Sequence, residues 1–247
     1  MTLLLAARTQ SSILLTADGR CIAAKRGVRT TASDTLQKIF PVKCRPLAVA
    51  HHGQNILDGQ PVSELLKALY CAHSGTISTA NPRQLSLLIA QNLDSVVSRT
   101  LLHITDSKNC GFWICGVDNM SQTFQMYEVI WHKKSPGEIN LRITPHGDLL
   151  MGGNAAQPIK KFLKQPVNAR LSWKQVFKRD VQYSLDLHNE LYRLAEESQP
   201  EGRLNSFGGH KHQLAITFDV CNWIIPPTRQ KVSTQFSHLK KANRICG

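Results

Sequence analysis

The chain has 247 residues, 42% of them apolar, which suffices for one large domain with a substantial core and excludes a disordered or fibrous class. Thirty Lys and Arg residues against 17 Asp and Glu leave a formal charge of +13; this is compatible with an acidic or nucleic-acid partner, but without an aromatic and basic repeat it calls for neither. The seven cysteines form an odd set with no CxxC pair and no zinc-like spacing to histidine, so free thiols in a reducing cytosol are expected, with no metal and no cofactor.

In chain order, residues 2–9 and 12–17 read as two apolar strands joined by a turn at Gln10-Ser11, an opening hairpin. MTLLLAA is too short and too poor in basic residues for a signal peptide or a membrane span. Further strands are expected at Gly27 to Ala32, Lys38 to Val42 and Pro46 to Ala50. Pro61 opens a helical stripe through Val62, Leu65, Leu66 and Leu69. Asn81-Pro82 opens a second helix, with apolar residues from Leu85 to Val97. Strands return at GFWICGVD, TFQMYEVIW and INLRITPHGDLLMGG. Two more helices follow at Asn154 to Leu163 and Ser172 to Glu197, and one last strand, HQLAITFDVCNWII, ends at Pro226-Pro227 because proline cannot continue a ladder. This order predicts an α+β fold of two stacked sheets with a helix pair on each outer face. Residues 2–227 form one domain, and 228–247 a basic extension that docks on a neighbouring subunit or stays mobile.

The chemistry starts at residue 2. If Met1 is removed, Thr2 carries a hydroxyl and a free α-amine, a nucleophile with its own base, and the amine's ordinary pKa of about 7.7 to 8.0 lies near neutrality. Such a nucleophile gains from a nearby lysine that holds the local potential positive and a carboxylate that orients the lysine. Asp18, at the end of the second strand, and Lys38, at the start of a later one, are candidates. Taken singly, Asp18 in TADGR reads as a turn residue and Lys38 as a solvated strand-end charge.

Together, SILLTADGRCIAAKRG and SDTLQKIFPV resemble the β-type subunits of the proteasome family, as do the hairpin GVDNMSQTFQMYEV and the Gly-rich turn of DLLMGGNAAQPIKKFL. The likeness covers residues 2 to 225 in the same element order. It implies an N-terminal-nucleophile (Ntn) hydrolase fold, a four-layer αββα sandwich. It further implies peptide-bond hydrolysis by Thr2, with Lys38 lowering the hydroxyl's pKa, Asp18 pairing with Lys38, and Arg20, Ser206, Gly152 and Gly153 in support. An oxyanion donor is expected from the backbone at the end of LAVA, at His51 or His52, where the family usually has glycine. The family's serine before the glycine pair is Met151 here, and no aspartate accompanies Ser206. The resemblance implies a cytoplasmic, homo-oligomeric ring or stack of rings, of bacterial type because Thr2 directly follows Met1, acting on unfolded polypeptide or peptides. It leaves any unfoldase partner undetermined. An Ntn amidase for small molecules on the same fold and a non-catalytic or nucleic-acid-binding scaffold are the alternatives.

Overall fold

Two five-stranded antiparallel sheets organise the chain in the computed structural model, which describes residues 3–25, 28–103, 109–135, 138–153, 156–163, 178–198 and 208–228. The first sheet contains β1 (Leu4–Arg8), β2 (Ile13–Ala17), β12 (Leu149–Gly152), β13 (His212–Ile216) and β14 (Cys221–Ile225), in the order β12-β1-β2-β13-β14. The second contains β5 (Ile39–Pro41), β6 (Leu47–His52), β9 (Asn109–Asp118), β10 (Thr123–Ser135) and β11 (Glu138–His146), in the order β11-β10-β9-β6-β5. Two small hairpins, β3 (Cys21–Lys25) with β4 (Val28–Ser33) and β7 (Ile56–Leu57) with β8 (Gln60–Pro61), stand apart. The helices are α1 (Val62–Ala72), α2 (Ser74–Thr79), α3 (Pro82–His103), α4 (Ala156–Leu163) and α5 (Val181–Glu197).

The run LLLAA has no polar alternation because β1 is buried on both faces, and its side chains divide by parity. Leu4 and Ala6 enter a core between the two sheets with Leu15, Trp113, Cys115, Met126 and Leu214. Leu3, Leu5 and Ala7 turn to the other side, onto Ile159 of α4 and Leu187 and Leu191 of α5. The second sheet divides likewise: Ala48, Ala50 and Trp113 face the first sheet, while Val49, Phe112 and Ile114 pack under Leu66, Leu85, Ile89 and Leu93 of α1 and α3. Each fully buried leucine stabilises the fold by about 1.5 to 3 kcal/mol relative to exposure.

Capping fixes where α3 and α5 begin. Asn81 and Gln84 exchange side-chain and backbone hydrogen bonds of 2.9 Å each, a capping box around Pro82 at the first helical position of α3. The Asp180 carboxylate accepts the Tyr183 N–H at 2.9 Å and starts α5 at Val181. Arg179 and Asp180 are therefore not helical and interrupt the helix expected from Ser172 to Glu197, while 172–177 lie outside the described residues.

Three other expectations are corrected. The last apolar run is a hairpin, because Thr217 turns the chain with its N–H bound to the Val220 carbonyl at 3.0 Å, separating β13 from β14. INLRITPHGDLLMGG divides at Gly147-Asp148 between the two sheets; Asp148 bonds Arg8 of β1, by side chain and by backbone at 2.8 Å each. The expected first helix pair is three helices, since α2 follows α1 after His73.

Candidate active site

Thr2 lies outside the described residues, and the site is built from its neighbour. Leu3 and Asp18 face each other where the β1–β2 ladder ends: Leu3 N–H donates to Asp18 Oδ1 at 2.8 Å, and Asp18 N–H returns a bond to the Leu3 carbonyl at 3.2 Å. The same Oδ1 accepts Lys38 Nζ at 2.8 Å, and both side chains are fully buried, 0% exposed. Lys38 Nζ also donates to the Arg20 carbonyl at 2.8 Å. On Oδ2, Asp18 accepts the N–H groups of Arg20 at 3.2 Å and Gly208 at 3.3 Å. A buried ion pair persists only when its remaining polar capacity is satisfied, and here four donors cover the carboxylate.

The glycine pair Gly208-Gly209 makes this closure possible. Both have positive φ, +132° and +71°, and a Cβ on Gly209 would lie 2.4 Å from the Asp34 carbonyl oxygen. Arg20 is locked to the same wall, its Nε 2.5 Å from Asp34 Oδ1, and that hydrogen bond raises its pKa. Ser206 lies outside the described residues. The glycine pair in RLNSFGGHKHQ was the sequence signal for the Gly208 contact.

Lys38 stands just ahead of β5, tied to both sheets. Its carbonyl accepts the His51 N–H at 2.9 Å, and its own N–H donates to His212 Nε2 of β13 at 3.2 Å. His51 therefore has its backbone donor engaged, and ladder alternation directs the His52 N–H towards its partner Gly111 on β9. Gly53 follows just past the strand, at φ +97°.

The two histidine side chains separate. His51 points under the helices, its ring 4.9 Å from Phe112 and Nε2 3.7 Å from the Cys110 thiol; burial, then the charges of His52 and Lys38, hold its pKa well below the usual value. His52 faces the inter-sheet gap, edge-on to Trp113 at 5.8 Å. Its Nε2 is 3.5 Å from Glu128 Oε1, and His146 Nε2 is 3.5 Å from Oε2. Trp113 donates to Oε1 at 3.0 Å. Burial of Glu128 alone would raise its pKa; His146 and His52, each 3.5 Å away, and the hydrogen bond from Trp113 overcome it and hold the carboxyl far below its usual range. Glu128 and His146, 21% and 27% exposed, open this polar end of the gap to solvent. Sequence reasoning missed Glu128 and His146; the E of Y-E-V was visible, but nothing in a strand pattern shows a partner two strands away.

Gly152 pairs with Leu4 and borders the same gap: an added Cβ would meet Trp113 Cζ2 at 2.6 Å and His52 Cδ2 at 3.5 Å. Gly153 follows at φ +83°. Met151 packs outward against the α4 and α5 core, so the methionine in place of the family's serine does not enter the gap. Among the described residues no group of three or more His, Cys, Asp or Glu is disposed to hold a metal, and no helix is long and apolar enough to cross a membrane.

No family model matches the sequence, and no curated protein matches it. Among solved structures the chain is similar to an Anbu (Gly-1) mutant from Hyphomicrobium sp. strain MC1, with a TM-score of 0.54 over 98% of this chain and 94% of that one, at 12% identity. The likeness is one of fold: mixed α/β with several sheets.

Proposed function

We propose that the chain is a proteasome-like threonine peptidase, with Thr2 as nucleophile once Met1 is removed. The observation that carries this reading is the fully buried Lys38–Asp18 pair, joined at 2.8 Å and bonded through the same carboxylate oxygen to the N–H of Leu3, the residue after Thr2. An ammonium fixed there favours the alkoxide form of a neighbouring hydroxyl. Thr2 Oγ attacks the scissile carbonyl while its proton passes through a water to the α-amine. The tetrahedral intermediate collapses as the amine returns the proton to the leaving nitrogen, giving an ester on Thr2. Water, deprotonated by the α-amine, then hydrolyses that ester and frees the hydroxyl. The oxyanion requires a backbone N–H, and we assign it to Gly53 in place of His51 or His52, on the ladder geometry described above.

The three cores, helices on sheet, sheet on sheet and sheet on helices, support a four-layer αββα arrangement. The free buried thiols of Cys110 and Cys115 suit a reducing cytoplasm. Leu87 and Leu102, 43% and 47% exposed on α3, suit a helical face covered in a homo-oligomer whose cavity admits peptide or unfolded chain. Intact-mass spectrometry with and without a threonine-directed electrophile tests the reading. Loss of Met1 and one adduct on Thr2, absent in Thr2→Ala, are expected, together with peptide hydrolysis that Thr2→Ala abolishes. Wild-type hydrolysis by Thr2→Ala would overturn it. A parallel panel of small acyl amides separates a peptidase from an amidase.

A further inference from the structure

His212 lies on the inter-sheet face of β13 in line with Leu214 and Ile216, fully buried, where an aliphatic residue would pack at less cost. A buried imidazole without a hydrogen bond is destabilising. This one has a partner across the gap: Nε2 accepts the N–H of Lys38 at 3.2 Å. The Lys38 N–H precedes β5, which begins at Ile39, and the His212 ring serves it where the strand's ladder has not yet begun. Since Nε2 accepts, the ring proton sits on Nδ1, which is buried beside the His210 backbone.

The consequence is geometric. Lys38 is pinned at its N–H by His212 of the first sheet and at its carbonyl by His51 of the second. His212 also pairs in register with Ala17, the residue before Asp18. The same two neighbouring strands thus hold the lysine main chain and the carboxylate that its ammonium meets. We propose that His212 is a positioning residue: a neutral, Nδ1-protonated histidine that clamps the Lys38 backbone and so fixes where the ammonium stands. Burial, then the charges of Lys38 and His210, lower the ring's pKa to about 3, so it keeps its acceptor at neutral pH.

This rests on Lys38 belonging to the hydrolase site, so the test includes an arm that needs no turnover. Wild type, His212→Gln, His212→Asn and His212→Leu are compared by amide exchange over 36–40 and by steady-state kinetics. The glutamine oxygen reaches the place of Nε2 and the asparagine oxygen only that of Nδ1, so the two polar variants separate the clamp from a mere need for polarity. The Lys38 amide should exchange about tenfold faster in His212→Asn and His212→Leu and within about twofold of wild type in His212→Gln. The rate constant kcat should fall about 100-fold in the first two with KM within about twofold, and recover in His212→Gln. Unchanged exchange in a folded His212→Asn, or a His212→Gln as impaired as His212→Asn, overturns the clamp. If exchange behaves as expected but wild type and Lys38→Ala hydrolyse equally poorly, it is the hydrolase reading that fails, and with it the catalytic half of the proposal.

Discussion

Asp18 accepts two hydrogen bonds on each carboxylate oxygen, one of them from a buried ammonium. Replacing it by asparagine turns one oxygen into a donor facing donors and leaves Lys38 charged without its counter-ion. Removing one member of a buried pair costs about 3 to 5 kcal/mol, so Asp18→Asn should lower the denaturant midpoint correspondingly and abolish hydrolysis. In Asp18→Asn/Lys38→Met, where no charge is left stranded, stability should recover in part while activity stays lost. A single variant as stable as wild type would show that the pair is not the anchor described above. In the sequence, Asp18 alone is one more Asp-Gly turn, and only its conjunction with Thr2 and Lys38 singles it out. The partners that complete its shell, the N–H groups of Arg20 and Gly208, are backbone atoms that no residue type announces.

At the scale of elements, period and capping were readable because they follow from local chemistry: β1, β6 and β9 as apolar runs, and α3 from Asn81-Pro82. Turns embedded in apolar surroundings were not. Phe218 and Val220 flank the turn residue Asp219 and disguise the break between β13 and β14, although the Phe218 ring packs, tilted, 4.4 Å from that of Phe124 in the other sheet. Inter-sheet spacing also hides behind glycines. At Gly152 an added methyl would meet the Trp113 ring at 2.6 Å, with that indole held by its bond to Glu128 and fully buried. Gly152→Ala should therefore cost about 1 to 3 kcal/mol through overpacking, measured by urea unfolding. Gly147→Ala, with open space around the added atom, should leave stability nearly unchanged. Equal stability of the two variants would mean that the sheets can separate at this end without penalty.

The molecule as a whole carries a formal charge of +13 with its histidines neutral, and three of those histidines are buried in forms that resist protonation. His188, bonded through Nδ1 to Thr16 Oγ1 at 2.7 Å, has its pKa lowered to about 3 by burial and then by Lys211; His212 is lowered to about 3; and His51 is lowered well below its usual value. In the unfolded chain each titrates near 6.5. Because the folded values lie below the unfolded ones, the unfolded state binds these protons first. The stability involved is therefore complete above about pH 7 and is lost as pH falls from about 6.5 towards 3, at roughly 1.4 kcal/mol per pH unit for each histidine. Glu128 acts lower down: its carboxyl is depressed in the fold, so its contribution holds above the ordinary range near 4.3 and fades as pH falls below that value. Stability should thus begin to fall in mild acid, before most carboxylates titrate, with two to three protons taken up on unfolding near pH 5. His188→Asn, which keeps a short polar group beside Thr16 and removes the titration, should reduce that uptake by about one proton. Urea unfolding of both proteins from pH 7.5 to 4.5 measures the slopes. Equal slopes would mean that His188 accepts its proton within the native state, and that the layer between β2 and α5 opens to water well before the fold is lost.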